Sequence, residues 1–441
     1  MEYRVHTISW NITKRCNIQC AHCYLDAAFR TGERTGELST EECFRIIDQI
    51  EEVNPYALLI LTGGEPLLRK DIFEIARYAS QKKFMVVIGT NGTILNDKLV
   101  QKMIEAGVKG VSISLHSIRP EAHDHFTQVP GSWQKAVRGA QVLKRNHMEF
   151  IIQTSTMSWN YDEIPRIVDF AYELGARFFN LYFLVCTGRG QGLSGKDISE
   201  AQYEAMLAHV FEMQKKYQGK MLISAKCTPQ YKRIVYEADP NSPYLKSYSG
   251  GCPAATHYAQ ITPTGEVTPC PYMSIPLGNV KEKSFAEIWR TSPLLNQLRD
   301  RKLLQGRCGS CEFQVVCSGC RARAFAETGN YLAEDPSCRY EPGKYNFVEI
   351  KLEETLTLGL EADFQLTWTE EAKKRLEMIP SFARGMVIKG VEGYARSKGY
   401  SVITPELMKE VREKAIQNMG GMFSLFKKNE NNLLQIQDLR N

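Results

Sequence analysis

The segment TISWNITKRCNIQCAHC, residues 7–23, sets the architecture of the first half of the chain. Its start, Thr7 to Ile12, is rich in β-branched and aromatic residues and predicts a buried strand. Cys16, Cys20 and Cys23 follow with the spacing CxxxCxxC on one tight loop. An ordinary iron–sulfur cluster takes four cysteines, so a local set of three predicts a cubane with one iron left open for a substrate or cosubstrate. A zinc site or a structural loop is the alternative.

Length and composition exclude several classes of protein. The 441 residues are enough for two or three domains, and 43% hydrophobic with 24% charged residues is an ordinary globular mixture. No apolar run reaches the roughly 18 residues that a membrane span needs, and Met1 to Thr7 contains no apolar signal-peptide core. We therefore expect a cytoplasmic protein without a membrane partner. A net charge of +5 is too mild for a nucleic-acid binder.

Thirteen cysteines in such a chain favour metal binding or redox chemistry over disulfides. Three of them, Cys43, Cys186 and Cys227, stand alone and are interpreted as small buried hydrophobic residues. The predicted metal ligands are the other ten: Cys16, Cys20, Cys23, Cys252, Cys270, Cys308, Cys311, Cys317, Cys320 and Cys338.

Short β-branched runs alternate with amphipathic stretches from Ser9 to about Leu184, which predicts βα units around a parallel sheet. Ser39 and Glu42 form a capping box at the start of the first helix. The predicted strands are Thr7 to Ile12, Ala57 to Leu61, Met85 to Gly89, Val111 to Leu115, Phe150 to Thr154 and Phe178 to Leu184. The other predicted helices are Asp71 to Lys82, Asp97 to Ala106, Trp133 to Arg145 and Glu163 to Leu174. We expect an α/β fold, a partial (β/α)6 barrel with its ligands at the carboxyl ends of the strands.

CxxxCxxC after the first strand resembles the signature of the radical S-adenosylmethionine (SAM) superfamily. The loop GGEP at 63–66 and the turn TNG at 90–92, each at the end of the next predicted strand, resemble further motifs of that family. The resemblance implies a [4Fe–4S] cluster whose open iron is chelated by SAM, and cleavage of SAM to a 5′-deoxyadenosyl radical. The implied SAM-binding residues are His22, Gly63, Gly64, Glu65, Asn91 and Ser114.

Several of these positions leave alternatives open. His22 takes the position where the family places an aromatic ring against adenine, and a surface role is the alternative. Glu65 is equally interpreted as a structural acid bonded to backbone amides. Ser112 and Ser114 lie on the fourth strand, where the family often places a serine near the ribose, but His116 stands where many relatives have aspartate.

The seven rear cysteines, with Gly265 before Cys270, resemble the SPASM domain that follows the radical domain in peptide- and cofactor-modifying enzymes. The usual motif has three residues where this chain has only Ser318 and Gly319. The resemblance implies one auxiliary cluster on Cys308, Cys311, Cys317 and Cys338, and another on Cys252, Cys270 and Cys320. Cys227, a water, a non-cysteine side chain or substrate would complete the second set, and a zinc ribbon is the alternative to both.

Two features point to a substrate class. The loop LVCTGRG at 184–190 resembles one in the radical enzymes of haem d1 and alternative haem biosynthesis, which act on tetrapyrrole side chains. The segments from Trp368 to Thr404 resemble the small helical domain ending the B subunit of dark-operative protochlorophyllide reductase, and a docking or packing module is the alternative. Arg189 and Arg384 are candidate partners for propionate carboxylates, or structural arginines.

These patterns divide the chain into a radical SAM barrel (1–225), a SPASM-like domain (226–345), a linker (346–362), a helical domain (363–425) and a mobile tail (426–441). We expect an enzyme that modifies a C–H position of a tetrapyrrole, with a peptide substrate or a non-catalytic iron–sulfur carrier as alternatives. A ferredoxin or flavodoxin is the expected reductant. No pattern in the sequence points to a catalytic side chain.

Overall fold

The computed structural model describes residues 3, 5–29, 36–193, 195, 197–218, 220–246, 251–346, 364–377, 379 and 381–418. The predicted tail, the predicted linker beyond residue 346 and the side chain of Arg384 lie outside the described part of the chain. The chain divides into two compact units, Met1–Phe211 with Ile223–Thr355 and Glu212–Leu222 with Leu356–Asn441.

The first unit is built on one large sheet. Its strands, β1 to β10 in chain order, are Thr7–Asn11, Leu58–Thr62, Met85–Thr90, Gly110–Ser114, Phe150–Thr156, Phe178–Phe183, Leu222–Lys226, Tyr258–Ile261, Glu266–Thr268 and Gly278–Asn279. The strand order is β10-β9-β8-β1-β2-β3-β4-β5-β6-β7. The six strands from β1 to β6 are consecutive parallel neighbours, which confirms the predicted partial barrel of βα units.

Helices connect the strands of this barrel. Helices α1 to α7 are Thr40–Glu51, Ile72–Gln81, Asp97–Glu105, Pro120–Thr127, Ser132–Arg145, Ile164–Leu174 and Glu200–Lys216. Both bonds of the predicted capping box at Ser39 and Glu42 are present at the start of α1. Helix α4 was not predicted, because its buried face consists of His123, Phe126 and Thr127 rather than of a periodic apolar stripe.

The two faces of the barrel strands differ in burial. In β6, Phe179, Leu181 and Phe183 are buried, whereas Asn180 and Tyr182 are only half-buried. Strand β2 alternates in the same way. Since successive side chains of a strand point to opposite faces, one face packs into the apolar core and the other lines a partly open interior.

The segment behind the barrel is loop-rich, as predicted. Its helices α8 to α13 are Tyr231–Ala238, Pro243–Lys246, Phe285–Thr291, Pro293–Arg299, Gly306–Ser310 and Arg321–Thr328. One of its small apolar clusters contains Phe313, Val316 and Tyr340, with three cysteines packed against it. Such small clusters fit a segment that folds around metal rather than around a large core.

The second unit is mainly helical. Helices α14 to α16 are Glu370–Glu377, Ser381–Lys398 and Pro405–Asn418, and two short strands, Thr367–Trp368 and Val402–Ile403, pair in parallel. Buried Trp368 donates its indole N–H to buried Glu392 over 2.9 Å. Helices α14 and α16 begin directly after Thr369 and Thr404, and each hydroxyl accepts a bond from a backbone N–H three residues on. Among the described residues no helix is long and apolar enough to cross a membrane.

Candidate active site and metal centres

The loop after β1 gathers Cys16, Cys20 and Cys23 in one small apolar cluster with Ile18 and Ala27. Burial raises the pKa of Cys16 to about 11, and the charges of Glu65 and Cys23 raise it further. Burial also raises the pKa of Cys20, on which Cys16 and Cys23 act as well. Three thiols this close repel one another as free thiolates, so the donor set fits a cationic group that binds all three.

The glycines of the GGEP loop pack directly on this cysteine loop. A Cβ at Gly64 would lie 2.2 Å from the carbonyl oxygen of Arg15, and one at Gly63, which has a φ of +132°, would lie 2.4 Å from that of Thr13. The backbone N–H of Gly64 donates to Thr13 over 2.8 Å. Only glycine permits this approach, so the loop after β2 and the cysteine loop are held together by their backbones.

Glu65 ties the ends of β2 and β3 together. Its buried carboxylate accepts bonds from the Thr90 hydroxyl (2.8 Å) and from the backbone N–H groups of Asn91 (2.9 Å) and Leu67 (3.1 Å). Burial raises its pKa to about 7. The bonds to backbone amides agree with the structural role that the sequence left open for Glu65. A contact of Glu65 with SAM stays a prediction.

Asn91 of the TNG turn lies beside the first thiol. Its Nδ2 donates to the Asn17 Oδ1 over 2.7 Å and lies 3.9 Å from the Cys16 Sγ. The Asn17 amide in turn donates to the Thr93 hydroxyl over 2.8 Å. The turn after β3 is thereby joined to the cysteine loop.

His22 stacks on Phe126 with 4.7 Å between ring centroids and meets the edge of His116 at 4.8 Å. Burial lowers the pKa of His22 to about 4, and its Nδ1 has no hydrogen-bond partner among the described residues. The His116 Nδ1 accepts a bond from the backbone N–H of Ser155 over 3.2 Å. A neutral imidazole with an unpaired nitrogen therefore lies next to Cys23.

The predicted SAM-binding residue Ser114 is half-buried at the end of β4.

Arg189 contacts the cysteine loop, while its buried Nη2 has no hydrogen-bond partner among the described residues. Its Nε donates to the Cys20 carbonyl over 3.0 Å, and its Nη1 pairs with Asp26 at 2.7 Å. A Cβ at Gly188 would lie 2.2 Å from the Tyr24 carbonyl oxygen. The LVCTGRG loop is therefore packed against the backbone that carries the first three thiols.

The first predicted auxiliary set comes together around one cavity, lined by Cys308, Cys311, Cys317 and Cys338. The Arg321 Nη2 lies 3.6 Å from the Cys308 Sγ. Burial raises the pKa of Cys311 and of Cys338 to about 11, although the charge of Arg233 acts in the opposite direction. These guanidinium groups offset thiolate charge, so the four cysteines fit an anionic cluster site.

The second predicted auxiliary set gains Cys227 as a fourth cysteine. Burial raises the pKa of Cys270, and the thiolates of Cys227 and Cys252 act on it next. Burial likewise raises the pKa of Cys227, and the charge of Cys320 raises it as well. Cys227, interpreted from sequence as a lone residue or as one possible completion, thus lies with the three predicted cysteines. Among the described residues, no three His, Cys, Asp or Glu side chains are close enough to hold a single metal ion.

A buried ion pair connects the two auxiliary sets. Asp335 lines the cavity of the first set, and its Oδ2 accepts a bond from the Cys320 backbone N–H over 2.7 Å. The same carboxylate pairs with Arg323 at 3.1 Å, and Arg323 donates to the Cys227 carbonyl over 3.0 Å. Sequence patterns did not indicate this pair, since isolated charges carry no spacing signal.

Comparison with known proteins agrees with this geometry. Residues 10–171 match the radical SAM superfamily, residues 252–312 the iron–sulfur cluster-binding SPASM domain, and residues 368–412 the proto-chlorophyllide reductase 57 kD subunit. The chain belongs to the radical SAM superfamily and is an enzyme. Its cofactors are a [4Fe–4S] cluster with SAM and auxiliary iron–sulfur clusters, and the zinc alternatives are thereby set aside.

Within that family the chain is 39% identical over 345 residues to the AdoMet-dependent heme synthase of Methanosarcina barkeri, covering 76% of this chain and 97% of that protein. It is 31% identical over 349 residues to the pre-heme d1 synthase of Dinoroseobacter shibae, covering 75% and 85%. The crystal structure of Streptococcus suis SuiB bound to S-adenosylmethionine has the same fold, with a TM-score of 0.60, 18% identity and coverage of 77% and 78%.

Proposed function

We propose that the chain uses SAM radical chemistry to modify a side chain of a tetrapyrrole in haem-type cofactor biosynthesis. The supporting observation is the 39% identity to an AdoMet-dependent heme synthase over 97% of that protein. The LVCTGRG loop and the match of residues 368–412 to a proto-chlorophyllide reductase subunit agree with it.

The residues of the barrel would have separate roles in binding the cluster and in binding SAM. Cys16, Cys20 and Cys23 would hold the cluster that, when bound, supplies the electron for cleaving SAM. Gly63 and Gly64 hold the loop after β2 against the cysteine loop, and the backbone of this loop would receive the amino-acid end of SAM. His22, Asn91 and Ser114 would contact the cosubstrate at the ends of the first, third and fourth strands.

The rear segment would accept an electron from the substrate or anchor it. Cys308, Cys311, Cys317 and Cys338 would hold one auxiliary cluster. Cys227 would be the fourth thiolate beside Cys252, Cys270 and Cys320, which gives this cluster four protein ligands. A ferredoxin or flavodoxin would supply the low-potential electron.

The test is turnover of anaerobically reconstituted protein with SAM, a chemical reductant and iron coproporphyrin, followed by mass spectrometry of the tetrapyrrole. We expect 5′-deoxyadenosine and a tetrapyrrole product of changed mass to form together. Cys16→Ala should abolish both while the auxiliary clusters remain, because their ligands are distant. Formation of 5′-deoxyadenosine with every tetrapyrrole unchanged would contradict the proposed substrate and favour a peptide.

A further inference from the structure

Four tyrosines lie between the cysteine loop and the second auxiliary set. This tyrosine wall consists of Tyr24, Tyr182, Tyr258 and Tyr272. The rings of Tyr24 and Tyr272 meet edge to face at 5.3 Å. Burial raises the pKa of both tyrosines. The charge of Cys23 also raises the pKa of Tyr24, and the charges of Cys227 and Tyr182 also raise that of Tyr272. The wall therefore extends from the activating thiols to the auxiliary thiols.

The side chains of the tyrosine wall are not completely covered by the rest of the protein. All four side chains are surrounded by protein, which raises the pKa of Tyr24, Tyr258 and Tyr272, yet each is only half-buried. The Tyr24 hydroxyl donates to the Asn11 Oδ1 over 2.8 Å, and Tyr258 is bonded to Ser9. The Tyr272 hydroxyl has no such partner among the described residues. One phenol of the wall is thus available to a ligand.

Lys226 adds a cation directly before Cys227, the thiol whose charge acts on Tyr272. It is the last residue of β7, next to Cys227, and is half-buried. Within the described part of the chain it makes no hydrogen bond or ion pair. By contrast, buried Arg323 pairs with Asp335. The charge of the neighbouring Cys227 acts on Lys226, but no described carboxylate pairs with its ammonium, so its N–H donors remain available to an anionic ligand group.

We propose that the tyrosine wall and Lys226 form the tetrapyrrole subsite, with the rings packed on the macrocycle and Lys226 paired with a propionate-type carboxylate. The inference rests on the proposed function and names the residues that recognise its substrate. A porphyrinoid is a wide aromatic disc with carboxylates at its edge, and aromatic walls with a few cations are the groups that bind such a disc. The Tyr272 hydroxyl would donate to the same carboxylate.

The experiment compares binding of iron coproporphyrin to wild type, Lys226→Met and Lys226→Arg holoenzyme by the shift of the Soret band. We expect Lys226→Met to weaken binding at least about tenfold and Lys226→Arg to stay within about threefold of wild type. Iron content per chain checks that the clusters beside Cys227 are intact. Tyr272→Phe, which keeps the ring, should weaken binding by less than Tyr272→Leu.

The tetramethyl ester of the same porphyrin isolates the charge pair. Esterification should weaken binding of the porphyrin to both proteins. If Lys226 binds a carboxylate, this loss of affinity is at least about tenfold larger for wild type than for Lys226→Met. Equal losses, or wild-type affinity in Lys226→Met, would overturn this inference and leave the proposed function standing. Failure of every tetrapyrrole to bind the wild-type holoenzyme would overturn both.

Discussion

Cys227 shows how a single side chain changes the interpretation of a whole site. Its φ of +62° places it in the left-handed region, which a non-glycine residue adopts only when its surroundings hold it there. Arg323 provides part of that hold through the 3.0 Å bond to the Cys227 carbonyl. A strained residue whose thiol lies among three other cysteines is better explained as a cluster ligand than as a small core residue.

We therefore predict that Cys227→Ala removes a ligand from the second auxiliary cluster. Reconstituted wild type should contain about 8 to 12 irons per chain, and the variant should lose up to about four or show a changed auxiliary EPR signal. Cys43→Ala is the matched control, because Cys43 is also a buried thiol but lies on α1 beside Arg69. Unchanged iron and spectra in Cys227→Ala would exclude it as a ligand.

At the scale of elements, the barrel is held around the cysteine loop by backbone contacts from three other loops. The loops after β2 and β3 contribute the approach at Gly64 and the Asn91–Asn17 bond. The loop after β6 contributes Gly188 and Arg189, and the backbone N–H of Arg189 donates to the Cys23 carbonyl over 3.0 Å. Parallel strands place all these loops at one edge of the sheet.

This packing predicts that Arg189 positions the activating cluster rather than binding substrate. Arg189→Met should lower the EPR signal of the SAM-bound cluster and the yield of 5′-deoxyadenosine at least about tenfold, because three bonds to the loop are lost. Arg145→Met, which breaks an exposed pair with Asp97, is the control and should leave both unchanged. A variant with a normal EPR signal but weakened porphyrin binding would instead indicate that Arg189 binds the substrate.

At the scale of the whole molecule, the described cysteines and the predicted SAM-binding residues all belong to the first compact unit. The second unit has its own core around Trp368, Val391 and Ile403. Each unit therefore buries an apolar core of its own, and the chemistry of SAM cleavage has all its protein ligands in one of them.

Deleting residues 364–441 should accordingly leave SAM cleavage within about threefold of the full-length rate, provided that iron content is unchanged. Porphyrin affinity of the same protein then separates the two interpretations of this helical domain. At least about tenfold weaker binding is expected if the domain contributes to substrate binding, and unchanged binding if it is a docking module. Loss of SAM cleavage at full iron content would contradict the assignment of the activity to the first unit.

Local patterns in the sequence were sufficient for the strands β1 to β6, the capping box at Ser39 and the loop of Cys16, Cys20 and Cys23. Each depends on residues within a few positions of one another, where periodicity and ligand spacing are direct consequences of backbone geometry. The seven rear cysteines span residues 252–338, and their assignment depended on the resemblance to the SPASM domain.

Tertiary structure alone decided the place of Cys227, the tyrosine wall and the role of Arg189. Cys227 lies 25 residues before Cys252, at the end of β7, a strand that sequence patterns did not predict. The four tyrosines of the wall come from four separate segments, and Tyr258 joins the barrel only because β8 pairs in parallel with β1, where it lies opposite Thr7. Spacing along the chain constrains neighbours in sequence, whereas strand order determines which distant side chains lie close together.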